Sequence, residues 1–223
     1  YIERSASDRS YSHFKQELAR LKDAIGKKTN MTLAEFSNDC FMKSTTQFKL
    51  EGKLKPVETA GEVIKKLNAA GVEIVVVSNS KTEKIEHLFR KAGHTVTNEN
   101  AIVRGRLHAI GDARKFIIDS AFTELPEFYE ITDRFKVCLR RSNYFKILLA
   151  EMPDYVIGDV FSLDLALPLY LRLNDKRFEK LKVIQRVHKH TPAWVKDHLS
   201  RDEFKGIAFM VDSIDELPGI LLK

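Results

Sequence analysis

Val72-Glu73-Ile74-Val75-Val76-Val77-Ser78-Asn79 decides how the rest of the chain is read. The β-branched run is short, follows Gly71 and stops at a hydroxyl, so it predicts a buried parallel strand ending in a polar turn. Upstream, Pro56 opens and Gly71 closes a helix whose Val63, Ile64 and Leu67 face inward. Downstream, Ser80-Lys81-Thr82-Glu83 has the form of a capping box and starts a helix through Leu88 and Phe89 to Gly93. Strand, polar turn and helix make the repeating unit of a parallel sheet.

The unit returns toward the C-terminus. After a helix over 144–151, the spacing predicts a strand over 154–157, the turn Gly158-Asp159 and a helix over 163–170. A strand over 181–187 precedes a helix over 192–199. A last strand over 206–211 meets the capping box Ser213-Ile214-Asp215-Glu216 and a terminal helix. Between Thr95 and Arg141 the pattern is irregular, with strand candidates at 101–107, 115–118 and 135–139 that suggest a hairpin-like excursion. Before Lys53 the signals are helical. Phe14, Leu18, Leu21 and Ile25 recur at helix spacing up to Gly26, and Thr32-x-x-Glu35 caps a second helix bearing Leu33, Phe36, Cys40 and Phe41. The expected fold is α/β: a mainly parallel sheet with helices on both faces (53–223), plus a small helical cap (1–52).

At 43% hydrophobic and 30% charged residues, the 223-residue chain is neither a disordered nor a disulfide-stapled sequence. Its apolar runs stop far short of the ~20 residues that cross a bilayer, so no membrane partner is expected. A net charge of +6, with both signs interleaved, is mild basicity without a nucleic-acid tail; it suits a small anionic ligand and by itself does not choose between nucleic acid and a phosphate ester. Cys40 and Cys138 form no C-x-x-C pair, which points to a reducing compartment, the cytoplasm, and excludes a zinc ribbon. The chain begins Tyr1-Ile2-Glu3-Arg4 without Met or an apolar signal segment, so residues upstream of Tyr1 are expected in the native protein.

In open parallel sheets ligands bind beyond the carboxyl ends of the strands, so polar residues directly after apolar runs are the first suspects. Ser78-Asn79 and Gly158-Asp159-Val160-Phe161-Ser162-Leu163-Asp164 occupy that position. A hydroxyl and adjacent N–H groups can hold phosphate oxygens. Taken alone, Ser78 is more simply the end of a strand. An acid at a strand end costs desolvation, which a Mg²⁺ ion relieves while accepting a phosphate. Asp159 is placed for that, and Asp164 for steadying or joining the metal site; the plainer reading of Asp164 is an acid favoured by a helix dipole.

Together these residues resemble the haloacid-dehalogenase-like hydrolase superfamily. Its second motif, an apolar strand ending in Ser or Thr, is matched by Val75-Val76-Val77-Ser78-Asn79. Its third, a Lys or Arg at a helix start, is assigned to Arg141 with Lys146 as runner-up. Its fourth, G-D-x-x-x-x-D, is matched by Gly158-Asp159 and Asp164. The resemblance implies a Rossmann-like core, Mg²⁺ held by Asp159 and Asp164, substrate oxygens held by Ser78, Asn79 and Arg141 or Lys146, and a small phosphorylated substrate hydrolysed through an aspartyl-phosphate. The family's first motif, D-x-D on a central strand, has no match in the chain, because Asp8 lacks an apolar strand before it and Asp212 follows the last strand. The nucleophile strand is therefore expected upstream of Tyr1. The rival expectation is a catalytically inactive binding or scaffolding module of the same fold; a basic nucleic-acid binder is the weaker third. His188-Lys189-His190 could bind metal or a phosphate backbone but reads more simply as exposed strand, Trp194 as a packed ring, and Arg104, Arg106, Arg114 and Lys115 as a solvated charged face or a grip on an anionic substrate tail or a partner.

Overall fold

The computed structural model describes residues 8–51, 59–96, 107–132 and 135–222, with side chains from Ala19 onward apart from several in the second helix. Pro56, Arg104 and Arg106 lie outside them, as do residues 101–106 of one strand candidate and the side chains of Phe14, Leu18, Leu33 and Phe41.

Helix α1 (Asp8–Thr29) and helix α2 (Leu33–Leu50) pack as a hairpin, and α1 also contacts the strand at Phe135–Cys138. The expected capping box forms at the start of α2: the Thr32 N–H donates to Glu35 Oε2 (2.8 Å) and the Glu35 N–H to Thr32 Oγ1 (3.3 Å). Of the predicted apolar face of α1, Ile25 is buried, while Leu21 stays half exposed.

Helix α3 (Ala60–Ala69) buries Val63 and Leu67 and leads through Gly71, at φ 86°, into strand β1 (Ile74–Val77). Helix α4 (Thr82–Lys91) follows, then β2 (Leu107–Ile110), β3 (Phe128–Thr132) and β4 (Phe135–Cys138). Next come α5 (Ser142–Glu151), β5 (Tyr155–Gly158), a π-turn (Phe161–Leu165), α6 (Ala166–Asn174), β6 (Lys182–Arg186), α7 (Ala193–Leu199), β7 (Ala208–Val211) and α8 (Leu217–Leu221). The Ser213 capping box with Glu216 forms as read, on a short 3₁₀ turn that runs into α8.

The chain is mixed α/β, with small parallel sheets and no closed barrel among the described residues. Among the described residues the sheet is not one piece. β1 pairs with β2 in parallel, β5, β6 and β7 pair in parallel in that order, and β3 pairs with β4 antiparallel. β3 was not expected, and the candidate strand at 115–118 is a turn closed by the Ile117 N–H on the Arg114 carbonyl.

The two parallel sheets share their packing. Ile74 of β1 and Tyr155 of β5 pack with Val63, Leu67 and Ile184 on one side; Val77 and Val156 pack with Tyr144, Leu148 and Leu167 on the other. Alternate strand residues thus feed opposite faces, as a pleat requires. β1 and β5 each have one edge with no strand beside it among the described residues.

Candidate functional site

Three loops leave the carboxyl ends of β1, β2 and β5, and side chains tie them together. The first is held by its neighbour. The Ser78 N–H donates to the Ile110 carbonyl (2.9 Å), the Ala113 N–H to the Ser78 carbonyl (2.9 Å) and the Asp112 N–H to the Ser80 carbonyl (2.8 Å). The Gly111 N–H donates to Thr82 Oγ1 (2.8 Å), and the Lys115 N–H to Asn79 Oδ1 (2.8 Å). Residues 78–82 and 110–115 are therefore fastened along their length.

The expected capping box at Ser80 does not form. Lys81 is the N-cap of α4 and has no side-chain cap bond; the Ser80 N–H instead donates to Ser78 Oγ (3.1 Å). The Ser80 N–H that the box would give to Glu83 is taken by Ser78 Oγ two residues before it, so one local side-chain bond stands in place of another.

From the far end of this fastening the Lys115 side chain crosses to the acidic turn, where Nζ sits 2.5 Å from Asp164 Oδ1. The side chains are 13% and 10% exposed, so the pair is shielded from water and its attraction exceeds that of a surface bridge. Asp164 Oδ2 accepts the Val160 N–H (3.2 Å). Gly158 is dictated by this arrangement: a Cβ there would lie 2.4 Å from the Asp164 Cβ.

Arg141 and Lys146, the two cations expected to hold substrate oxygens, sit in different surroundings. Arg141 does cap a helix, α5, but it is 2% exposed and its guanidinium donates to the main-chain carbonyls of Ser162 and Leu163. Beside it the Tyr144 hydroxyl donates to the Asp164 carbonyl (2.7 Å). Burial holds that phenol well above its usual pKa, so it remains a donor. Arg141 and Tyr144 thus shape the π-turn, a feature that recurs at functional sites. Lys146 lies on the exposed face of α5. The cation against the acid is Lys115, from the irregular segment, and it lies 5.7 Å from the Tyr144 ring centre.

Ser78 is partly buried, while Asn79 and Asp159 are exposed; the Asp159 carbonyl accepts the Gln185 side-chain amide (2.8 Å). The acids do not fit Mg²⁺ as a pair. Both Asp164 oxygens already have partners, leaving Asp159 as the open carboxylate of the two. No group of three His, Cys, Asp or Glu side chains gathers for a metal among the described residues.

No protein-family model matches the chain, and no curated protein or solved structure matches it either. What marks this rim as a site is its geometry: a hydroxyl, an amide, an ammonium and two carboxylates from three loops at one set of strand ends.

The remaining candidates sit in a turn, in packing and at the surface. His188 Nδ1 accepts the His190 N–H (3.1 Å) in a turn after β6, not in an exposed strand. Trp194 packs as read, stacked on Phe135 with ring centres 5.5 Å apart. Arg114 is exposed. No helix among the described residues is long and apolar enough to cross a membrane.

Proposed function

We propose that this chain is a phosphohydrolase-type domain of the haloacid-dehalogenase-like kind, acting on a small phosphorylated metabolite at the rim formed by Ser78, Asn79, Lys115, Asp159 and Asp164. The observation that carries the reading is the link from Asn79 through Lys115 to Asp164, which fastens the hydroxyl-bearing turn to the acidic one.

In this reading the Ser78 hydroxyl and the Lys115 ammonium hold the transferring oxygens, and Asp164 fixes the ammonium. The nucleophile is an aspartate on a strand upstream of Tyr1. The edges of β1 and β5 that have no strand beside them among the described residues, and that share packing on both faces, are suited to receive such a strand. Its carboxylate attacks phosphorus in line while the ester oxygen leaves with a proton from the second aspartate of that D-x-D strand; the same aspartate then takes a proton from the water that cleaves the acyl-phosphate, releasing phosphate and regenerating the carboxylate. The helical hairpin of α1 and α2 serves as the cap that selects the substrate. No step is routed through Mg²⁺, because the described acids do not fit it as a pair.

A specific observation favours a second reading. With Asp164 engaged by Lys115 and no metal-binding group among the described residues, the rim is also suited to bind a phosphate ester without turning it over. One experiment separates the two. The full-length protein is incubated with p-nitrophenyl phosphate, with and without Mg²⁺, beside Lys115→Ala and Asp159→Asn. The enzyme reading expects phosphate release that falls at least about tenfold in Lys115→Ala, the loss typical of one charged transition-state contact. Release that is absent while phosphate still binds supports the module. Release unchanged in both variants removes the rim from the chemistry.

A further inference from the structure

We infer that residues 111–115 are a positioning strap, and that Asn79 and Gly111 act on the site through it by fixing where the Lys115 ammonium lies. Asn79 then acts on a bound anion through the lysine, whose main-chain N–H its Oδ1 accepts.

Two independent features single out this segment. First, Asp112 and Arg114 both sit in the left-handed region, at φ 49° and 47°, with Ala113 buried between them. A side chain such as Arg is disfavoured there, so this backbone persists only where its surroundings over-determine it. Second, those surroundings are visible: three main-chain bonds and two side-chain bonds fasten 110–115 to 78–82. Gly111 lies so close that a Cβ would stand 2.1 Å from the Thr82 nitrogen and 2.5 Å from the Lys81 carbonyl carbon. Those are main-chain atoms, which cannot swing aside as a side-chain end would.

Lys115 comes at the end of this strained stretch. Freed from Asn79, its main chain gains a route to relax, and its long, rotamer-rich side chain loses its fixed origin. The ion pair with Asp164 then competes with solvation of a mobile ammonium. Asn79 is a positioning residue, and Gly111 provides the close approach that the strap needs.

The test uses the full-length protein and two readouts. Lysines are acetylated with a water-soluble N-hydroxysuccinimide ester, and the rate at Lys115 is read by peptide mass spectrometry relative to exposed Lys146. Inorganic phosphate binding is measured in parallel by calorimetry. In the wild type Lys115 reacts more slowly than Lys146. In Asn79→Ala its relative rate rises about fivefold, the factor corresponding to one net hydrogen bond. Asn79→Asp, which keeps an acceptor for the Lys115 N–H, returns it to near the wild-type rate. Gly111→Ala raises the rate without touching Asn79. Phosphate binding, the arm that rests on the proposed function, weakens and recovers in step. An Asn79→Ala rate equal to wild type overturns the inference, as does Asn79→Asp failing to rescue. A shift in labelling with no phosphate binding in any form leaves the strap standing and removes the phosphate-site reading instead.

Discussion

β1 and β6 are both short β-branched strands, yet they are held differently. β6 has a parallel neighbour on each side, and Val183, Ile184 and Gln185 at its centre are buried. β1 has a neighbour on one side among the described residues, and all four of its residues are only partly covered. Around β6, order comes from strand pairing and apolar packing. Around β1, at the turn that matters for chemistry, it comes from loop-to-loop hydrogen bonds and one shielded ion pair. The half that supplies most of the packing and the half that supplies the lysine are thus stabilised by different physics.

The largest effect that tests this contrast is expected in the packed half. Phe204 is 1% exposed, and its ring centre lies 4.8 Å from that of His198. Phe204→Ala should cost about 3–5 kcal/mol, the range for emptying a closed aromatic site. Leu88→Ala, on α4 against β2 at 57% exposure, should stay within about 0.5 kcal/mol. Urea unfolding of both variants measures the difference; equal costs would erase the distinction between the halves.

The same contrast explains what could be read from sequence. β1, β5, β6 and β7 were legible because each is a compact apolar run bounded by Gly or polar residues, and the turns at Ser78 and Asp159 followed as strand ends. The Thr32 and Ser213 boxes were legible because capping is local. What did not show was pairing. No spacing reveals that, among the described residues, the sheet divides between β1 and β5, since strand neighbours are set by contacts distant along the chain. In sequence Lys115 reads as one of four cations that form a solvated face or grip an anionic tail, not as a strand-end residue, because the strand before it, β2, begins at the very end of the 101–107 candidate. Had 107–110 been taken as that strand, Lys115 would have followed a strand end, the position that drew attention to Ser78 and Asp159. Arg141 was correctly set at a helix start, but the sequence could not show that the π-turn carbonyls would claim its guanidinium.

A middle-sized effect is expected where the halves meet. Gly158 ends β5, and a Cβ there would lie 2.4 Å from the Asp164 Cβ and 2.9 Å from its Cγ. Gly158→Ala must push the acidic turn away from the strand at about 1–3 kcal/mol, the usual cost of forcing a methyl into a filled space. It should also disengage Asp164 from Lys115, so faster acetylation of Lys115 is expected alongside the lower urea midpoint. A lower midpoint with unchanged labelling would show that the ion pair tolerates movement of the turn.

The effect that is smallest near neutral pH is a pH dependence confined to the packed half. His198 is 2% exposed, ringed by Phe161 and Phe204, with Nε2 3.3 Å from the Tyr129 hydroxyl. Burial, aided by the nearby Arg201 charge, lowers its pKa from 6.5 to about 4, while burial raises that of Tyr129 to about 12. Between those two imidazole values the unfolded chain binds more protons than the folded one, so stability rises with pH there. The contribution is complete above about pH 6.5 and is lost as pH falls toward 4. Its full size is on the order of 3 kcal/mol, of which about 2 kcal/mol is gone by pH 5. His198→Phe should therefore flatten the melting temperature between pH 7 and 5 relative to wild type, whatever its absolute stability. Hydrogen exchange should show the acid loosening of the wild type at α7 and β3, which His198 and Tyr129 join, before it reaches β1 and β2. A wild-type slope that persists in His198→Phe would assign the acid sensitivity to other groups and leave the two halves indistinguishable in this respect.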